Sequence, residues 1–180
     1  LVRPGPGLDL PAAPPPASQA PASPVRGTLG AVVPTGIQVT GGELMVYAVA
    51  VDEARLSGVH FGVAMGRRSS GGPLAPLAES NEVTGSDRSP GFHAVEAAMT
   101  VSGVAVPEFG YYAGPATKIT ASVNGHTVQA RQAAWSQDPS VVFFWFDPAQ
   151  VPAGTHPTGL AAYDRTGQRL PEGNASAGSG

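Results

Sequence analysis

Residues 117–131 read TKITASVNGHTVQAR. Up to Val123, apolar side chains alternate with polar ones, which is the period of a strand with one buried face. Asn124 and Gly125 tolerate the positive φ angles that a two-residue hairpin turn requires. Because the residues after Gly125 alternate again, the stretch predicts two antiparallel strands joined by a tight turn.

The stretch SVVFFWFDP at residues 140–148 predicts a strand of another kind. It has no polar residue between Val141 and Phe146, so we expect both of its faces to be covered. Trp145 should therefore lie in the core. Pro148 ends the strand because proline has no N–H to donate to a ladder.

Alternating patterns of the same period occur at residues 36–51, 59–65, 93–101 and 159–170. The first predicts two strands around Gly41-Gly42. The segment at 93–101 predicts one strand, although its Ala and Glu residues are also compatible with a helix. The inner face of that strand would consist of Val95, Ala97, Met99 and Val101.

Roughly seven to nine short strands, with a turn about every 8–12 residues, predict an all-β chain. The predicted fold is an antiparallel β-sandwich, in which alternate side chains are buried between two stacked layers. A small closed β-barrel is the alternative.

The chain divides into three parts. Residues 1–27, which are rich in Pro and Ala, predict a stalk or linker in an extended polyproline II conformation. Residues 28–170 form the predicted β-sandwich domain, and residues 171–180 predict a flexible tail. Within the domain, residues 66–91 predict a long polar loop of a length typical of functional or mobile loops.

The charge and composition exclude several classes of protein. The formal net charge is -3, and only 13% of the residues are charged. The chain therefore lacks the basic stripe with which nucleic-acid-binding proteins contact phosphates, and we expect no nucleic-acid partner. It contains no cysteine, which excludes disulfides, thiolate metal sites and a thiol nucleophile.

The sequence predicts no catalytic residue, no metal site and no cofactor. It contains no motif of nucleophilic or zinc-dependent catalysis, and its four histidines lack metal-ligand spacing. A carbohydrate-active enzyme or another hydrolase is still an alternative, with carboxylates as catalytic groups and the 66–91 loop as a lid. The acidic residues considered for it are Glu43, Asp52, Glu53, Glu96 and Glu108.

Aromatic and basic side chains are the candidates for partner binding. Tyr111 and Tyr112 occupy successive positions of a strand, so we expect one of them to face outward. Trp135 lies in a connection, where it either anchors a partner or closes one end of the sandwich. Arg67 and Arg68 form the only basic pair, in the predicted long loop.

Three segments between residues 109 and 170 share a pattern with a known type of module. They are FGYYAGPATKITASVNGHTVQAR, VVFFWFDP and GLAAYDRTGQRL. In these features the chain resembles immunoglobulin-like β-sandwich modules of exported or membrane-anchored proteins of high-GC Gram-positive bacteria. The resemblance implies an immunoglobulin-like fold and an extracytoplasmic location, secreted or associated with the membrane or cell wall, behind a Pro/Ala-rich spacer.

These observations together predict a non-enzymatic extracytoplasmic module that binds, senses or scaffolds. Its partner would be a protein or a cell-envelope glycan. The hydrolase described above is the first alternative. The second is the outer domain of a membrane-bound regulator such as an anti-sigma factor, which would require a membrane anchor upstream of Leu1.

Overall fold

The computed structural model describes residues 27–173 of the 180-residue chain. This range contains thirteen strands and no helix, so the predicted all-β class is confirmed. Accordingly, no helix in this range is long and apolar enough to cross a membrane. The predictions for the stalk up to residue 26 and for residues 174–180 concern parts of the chain outside the described range.

Three antiparallel sheets and one hairpin account for the thirteen strands, which are numbered in chain order. The outer sheet has the order β1 (Thr28–Val39), β2 (Gly42–Ala50), β3 (Phe61–Arg68), β4 (Leu74–Ser80). The central sheet has the order β11 (Arg131–Ala134), β12 (Val141–Trp145), β8 (Phe109–Ala113), β5 (Gly91–Glu96). The three-stranded sheet has the order β10 (His126–Gln129), β9 (Lys118–Val123), β13 (Thr158–Tyr163). The hairpin pairs β6 (Met99–Val101) with β7 (Val104–Val106).

The central sheet lies between the other two sheets. Along β12, Val141, Phe143 and Trp145 pack into a core shared with the outer sheet. Phe144, and Phe146 beyond the end of the strand, pack into a second core shared with the three-stranded sheet. Both faces of β12 are therefore covered, as the sequence predicts.

The predicted antiparallel β-sandwich is confirmed, with a correction to the number of layers. Buried side chains fill two interlayer spaces, so three sheets are stacked where two were expected. The physical reason is that a sheet with two apolar faces must be covered on each face. None of the sheets formed by residues 27–173 closes into a barrel, so the barrel alternative is wrong.

The hairpin predicted from residues 117–131 is present. Val123 pairs directly with His126, which leaves a two-residue turn between β9 and β10. Asn124 and Gly125 have φ angles of +50° and +80° in this turn. These are the signs that a type I′ turn requires, so the predicted two-residue hairpin turn is confirmed.

The prediction of a single strand at residues 93–101 is wrong. The segment is divided between β5 in the central sheet and β6 in the separate hairpin. The register of β5 against β8 shifts between His93 and Glu96, and Ala94 has a φ angle of +51°. Because this irregularity redirects the chain, Ala97, expected on the inner face, is exposed.

The prediction of one continuous loop at residues 66–91 is wrong. β3 extends to Arg68 and β4 occupies Leu74–Ser80, so the segment is divided into a short connection at residues 69–73 and a loop at residues 81–90. The missed strand contains Pro76. A proline is tolerated there because β4 is an edge strand and its register against β3 shifts at this point.

Contacts of the domain continue past the predicted boundary at residue 170. The N–H of Phe92 donates a hydrogen bond to the carbonyl oxygen of Glu172 at 3.0 Å. The hydroxyl of Tyr112 donates to the carbonyl oxygen of Pro171 at 2.6 Å. Residues 171–173 therefore belong to the domain, which corrects their assignment to a flexible tail.

Candidate functional site

A cavity of about 550 Å³ opens between the central sheet and the three-stranded sheet. It is called the interlayer cleft below. Its lining comes from the β8–β9 connection, from β11, from the segment that leads into β12 and from the turn after β13. The apolar part of the lining consists mainly of Pro115, Ala116, Ala134, Pro139 and Val142.

The interlayer cleft exists because one sheet ends before the other. The N–H of Ala130 donates to the carbonyl oxygen of Ile119 at 2.9 Å, so Ala130, which precedes β11, lies opposite Ile119 of β9. β9 begins only one residue earlier, at Lys118, whereas β11 continues to Ala134. The end of the central sheet is thus left without a covering strand.

Gln132 is the amide side chain that lines the cleft. Its Nε2 donates a hydrogen bond to the carbonyl oxygen of Ala116 at 2.9 Å. Its Oε1 is shielded from solvent and accepts no hydrogen bond from residues 27–173. Leaving a buried acceptor unpaired costs about 1–3 kcal/mol. A group of this kind in a cleft is a reason to consider a ligand.

Asp164 is the only carboxylate in the lining of the cleft, which lies wholly within the described residues. Its Oδ1 accepts hydrogen bonds from the Thr166 hydroxyl at 2.7 Å and from the N–H groups of Thr166 and Gln168. The Thr166 hydroxyl, followed by the Gln168 N–H, lowers the pKa of Asp164. The carboxylate is therefore ionised, and its hydrogen bonds stabilise the turn to which it belongs.

The lining of the cleft suits binding better than catalysis. General acid–base catalysis needs a titratable group with a pKa near the operating pH, and glycoside hydrolysis needs two carboxyl groups. The described residues of the lining supply one carboxylate, Asp164, which is already hydrogen-bonded within its own turn, and one exposed cation, Arg165, but no histidine. Its hydroxyl and amide groups can orient a ligand.

Two of the carboxylates considered for the hydrolase alternative, Glu43 and Glu96, belong to different sheets. Glu43 belongs to β2 in the outer sheet, where its Oε1 accepts a hydrogen bond from the N–H of Gly36 at 3.1 Å. Glu96 ends β5 in the central sheet and pairs with Phe109, the residue after Glu108. None of these three glutamates lines the cleft. Residues 27–173 also contain no group of three or more His, Asp or Glu residues placed to hold a metal ion.

Both tyrosines predicted as partner-binding residues are buried. Tyr111 is 0% exposed and Tyr112 is 1% exposed, so the expectation that one of them faces outward is wrong. The reason is that β8 lies in the central sheet, where each face is covered by another layer. The hydroxyl of Tyr111 donates to the carbonyl oxygen of Asp87 at 2.8 Å.

Trp135 is also buried, with 2% of its surface exposed. Its ring lies 4.6 Å from the ring of Phe61, and its Nε1 donates to the carbonyl oxygen of Leu29 at 3.0 Å. Of the two interpretations of Trp135, the one in which it closes an end of the sandwich agrees with these contacts.

Arg67 and Arg68 are not brought together with the aromatic residues. They are successive residues of β3, so their side chains point to opposite faces of the outer sheet. Phe61, which contacts Trp135, begins the same strand, roughly 20 Å from Arg67 at the rise of a β-strand. The five predicted residues therefore do not form one surface.

A buried polar network beneath the 81–90 loop was missed by sequence reasoning. Nδ1 of His93 lies 2.7 Å from Oε1 of Glu82, and its Nε2 lies 2.6 Å from the carbonyl oxygen of Ser89. The ring stacks on Tyr111 with centroids 5.0 Å apart. No pattern in the sequence relates these residues, since their contact depends on the path of the loop.

Further contacts hold the 81–90 loop against its neighbours. Arg88 forms an ion pair with Asp138, and its guanidinium lies 5.6 Å from the centroid of the Trp135 ring. The carboxylate of Asp87 accepts a hydrogen bond from the N–H of His60 at 2.7 Å. The charged groups of this network are thus engaged with one another and with the backbone, and the network serves to anchor the loop.

No model of a known protein family, no curated protein and no solved structure matches this chain. The interlayer cleft is the feature of residues 27–173 that combines an open cavity, an apolar lining and an unpaired polar atom, Oε1 of Gln132. Its geometry is therefore the basis for a functional proposal.

Proposed function

We propose that this protein is a non-catalytic binding module whose ligand occupies the interlayer cleft. The observation that carries the proposal is the cleft itself, with a volume of about 550 Å³ and a mostly apolar lining. Ligand sites typically have volumes of about 300–1,000 Å³, an apolar lining and a few polar groups that orient the ligand. In the cleft, Thr117, Gln132 and Thr166 supply such groups.

A protein segment suits the cleft better than a cell-envelope glycan. Aromatic side chains with a flat apolar face and a polar edge are favoured anchors at binding surfaces, and a glycan would draw on such faces. The described lining of the cleft contains no aromatic residue. Small apolar side chains of a partner protein match the alanine, proline and valine side chains that make up half of its lining residues.

We also propose that the module acts outside the cytoplasm, in a sensing or scaffolding role. The support is the Pro/Ala-rich composition of residues 1–27, which is typical of semi-rigid spacers. Protease added to intact cells of the source organism should digest the protein while a cytoplasmic marker survives. Survival of both proteins would contradict this location.

The cleft is tested with the full chain labelled with nitrogen-15. Titration with a set of small apolar fragments should shift the amide resonances of Gln132, Ala134 and Thr166. The variant Ala134→Phe places a ring in the cleft and should weaken fragment binding at least about tenfold. The matched control is Ala105→Phe, because Ala105 is an exposed alanine of β7 outside the cleft.

Three outcomes would contradict the proposed function. In the first, no fragment shifts the resonances of the cleft residues. In the second, fragments bind equally well to Ala134→Phe and to the unchanged protein. A loss of binding that appears equally in Ala105→Phe would point away from the cleft as well.

A further inference from the structure

We propose that the ligand of the cleft is an extended peptide segment of a partner protein, which pairs as an added strand with the free edge of β11. This inference rests on the proposed function and specifies its ligand. Strand addition recognises a partner through main-chain hydrogen bonds, and pockets beside the strand select alternate side chains.

The hydrogen bonds of the central sheet determine which groups of β11 are free. β11 pairs only with β12, and the N–H of Trp135 donates to the carbonyl oxygen of Val141 at 2.8 Å. In an antiparallel ladder, residues alternate between bonding the partner strand and pointing away from it. Ala133 therefore bonds β12, whereas the N–H and C=O groups of Gln132 and Ala134 point away.

These four backbone groups border the interlayer cleft. Both Gln132 and Ala134 line it, and Ala134 is exposed. No hydrogen bond within residues 27–173 outside the β11–β12 ladder uses their N–H or C=O groups. A wall of the cleft is thus an open strand edge.

β1, the edge strand of the outer sheet, differs from β11 because side chains form hydrogen bonds with some of its backbone groups. On β1, the N–H of Ala31 donates to Oγ of Ser136 at 2.7 Å, and the carbonyl oxygen of Leu29 accepts from Trp135 Nε1 at 3.0 Å. Folded proteins usually cover or blunt their edge strands because a bare edge templates pairing with another chain. Here side chains occupy these two backbone groups of β1, while Gln132 and Ala134 of β11 are left without such partners beside a cavity.

The arrangement defines the chemistry of the peptide. Gln132 and Ala134 are two residues apart, roughly 7 Å along the strand, which is the repeat of one extended chain. The peptide must carry N–H groups at its pairing positions, which excludes proline there. Every second side chain would enter the cleft against Ala116, Pro139 and Val142, and should be small and apolar.

The test identifies binding peptides by selection from a random library. A phage-displayed library of random decapeptides is selected on the full chain, and each selected peptide is synthesised. We expect alternate small apolar residues without proline at the pairing positions. In the labelled protein, the bound peptide should protect the amides of Gln132 and Ala134 from hydrogen exchange.

Substitutions at residue 134 isolate the main-chain contribution. Ala134→Pro removes an N–H that β12 does not use, and should weaken peptide binding at least about tenfold. Ala134→Val adds similar bulk but keeps the N–H, and should weaken binding clearly less than Ala134→Pro does. Gln129→Pro removes a comparable outward N–H from the edge of β10, away from the cleft, and should leave binding unchanged.

A variant of the peptide keeps the inference testable even if Ala134→Pro fails to fold. N-methylation of a peptide amide at a pairing position should abolish binding, whereas N-methylation of the next amide should not. Equal binding to Ala134→Pro and Ala134→Val, equal effects of the two methylations, proline-rich selected sequences or no selected peptide would each overturn the inference. If small apolar fragments still enter the cleft, the proposed function survives that result; if they do not, both fail.

Discussion

Ala94 adopts a backbone conformation that alanine rarely takes. Its φ angle of +51° lies in the left-handed region, where a β-carbon crowds the following carbonyl oxygen. The residue sits at the register shift of β5, and its N–H donates to Oε1 of Glu82 at 3.3 Å. The network around His93 thus holds the backbone in a costly conformation, and the surrounding contacts offset that cost.

Replacing Ala94 with glycine should therefore cost little stability. The lost burial of one methyl group, about 0.8 kcal/mol, is offset by relief of a strain of about 1 kcal/mol. The matched control is Ala48→Gly, at a buried alanine of the same core without a positive φ angle. Urea denaturation should show Ala94→Gly to be at least about 1 kcal/mol less destabilising than Ala48→Gly. Equal losses would contradict the strain.

Glu108 should make the stability of the fold depend on pH. Burial raises the pKa of this carboxyl to about 7, and its Oε2 has no hydrogen-bond partner within residues 27–173. The folded state therefore favours the protonated form. The stability that Glu108 contributes is complete below its ordinary pKa of 4.5 and is lost as the pH rises through about 7.

The variant Glu108→Gln should remove most of this pH dependence. Between pH 5 and pH 8 the unchanged protein should lose on the order of 1–3 kcal/mol more than the variant. Denaturant titrations at the two pH values measure the difference. A variant that loses as much stability as the unchanged protein would show that another group is responsible.

At the scale of elements, the Asn124-Gly125 turn is the clearest link between sequence and structure. A β-carbon added at Gly125 would meet no atom within 4 Å, so only its φ angle of +80° opposes a larger residue. Gly125→Ala should then destabilise the protein by about 1 kcal/mol. Asn124→Gly keeps the turn and should change stability by only a few tenths of a kcal/mol. Thermal unfolding of the two variants checks both expectations, and the reverse order would argue against a type I′ turn.

At the scale of the whole molecule, β12 joins two cores through successive residues. Phe143 belongs to the core shared with the outer sheet and Phe144 to the core shared with the three-stranded sheet; both are fully buried. Truncating either residue to alanine should lower the free energy of unfolding by about 3–5 kcal/mol, because both faces of the strand are buried. Denaturant unfolding measures this cost.

The two truncations should loosen different layers. Phe144→Ala should speed hydrogen exchange most in β9, β10 and β13, and Phe143→Ala should speed it most in β2 and β3. The reason is that each core is made by a different pair of sheets, so opening free energies respond locally. Identical exchange patterns in the two variants would show that the three layers open as one unit.

What the sequence determined by itself was local pairing and its periodicity. The alternation before and after Asn124-Gly125 specified a hairpin and its register, because the turn and the strands depend only on neighbouring residues. The wholly apolar stretch from Val141 to Phe146 specified a strand covered on both faces. Alternation failed at Ala94, where a positive φ angle enforced by contacts distant in the chain breaks the period.

What only the tertiary structure decided was which faces meet and where a layer stops. Tyr111, Tyr112 and Trp135 are buried because a third layer and a neighbouring strand cover them, and nothing in their local sequence carries that information. The interlayer cleft depends on β9 beginning level with Ala130 while β11 runs on to Ala134. Periodicity records which side chains are buried, but the stacking of sheets and the ends of strands are set by contacts between residues far apart in the chain.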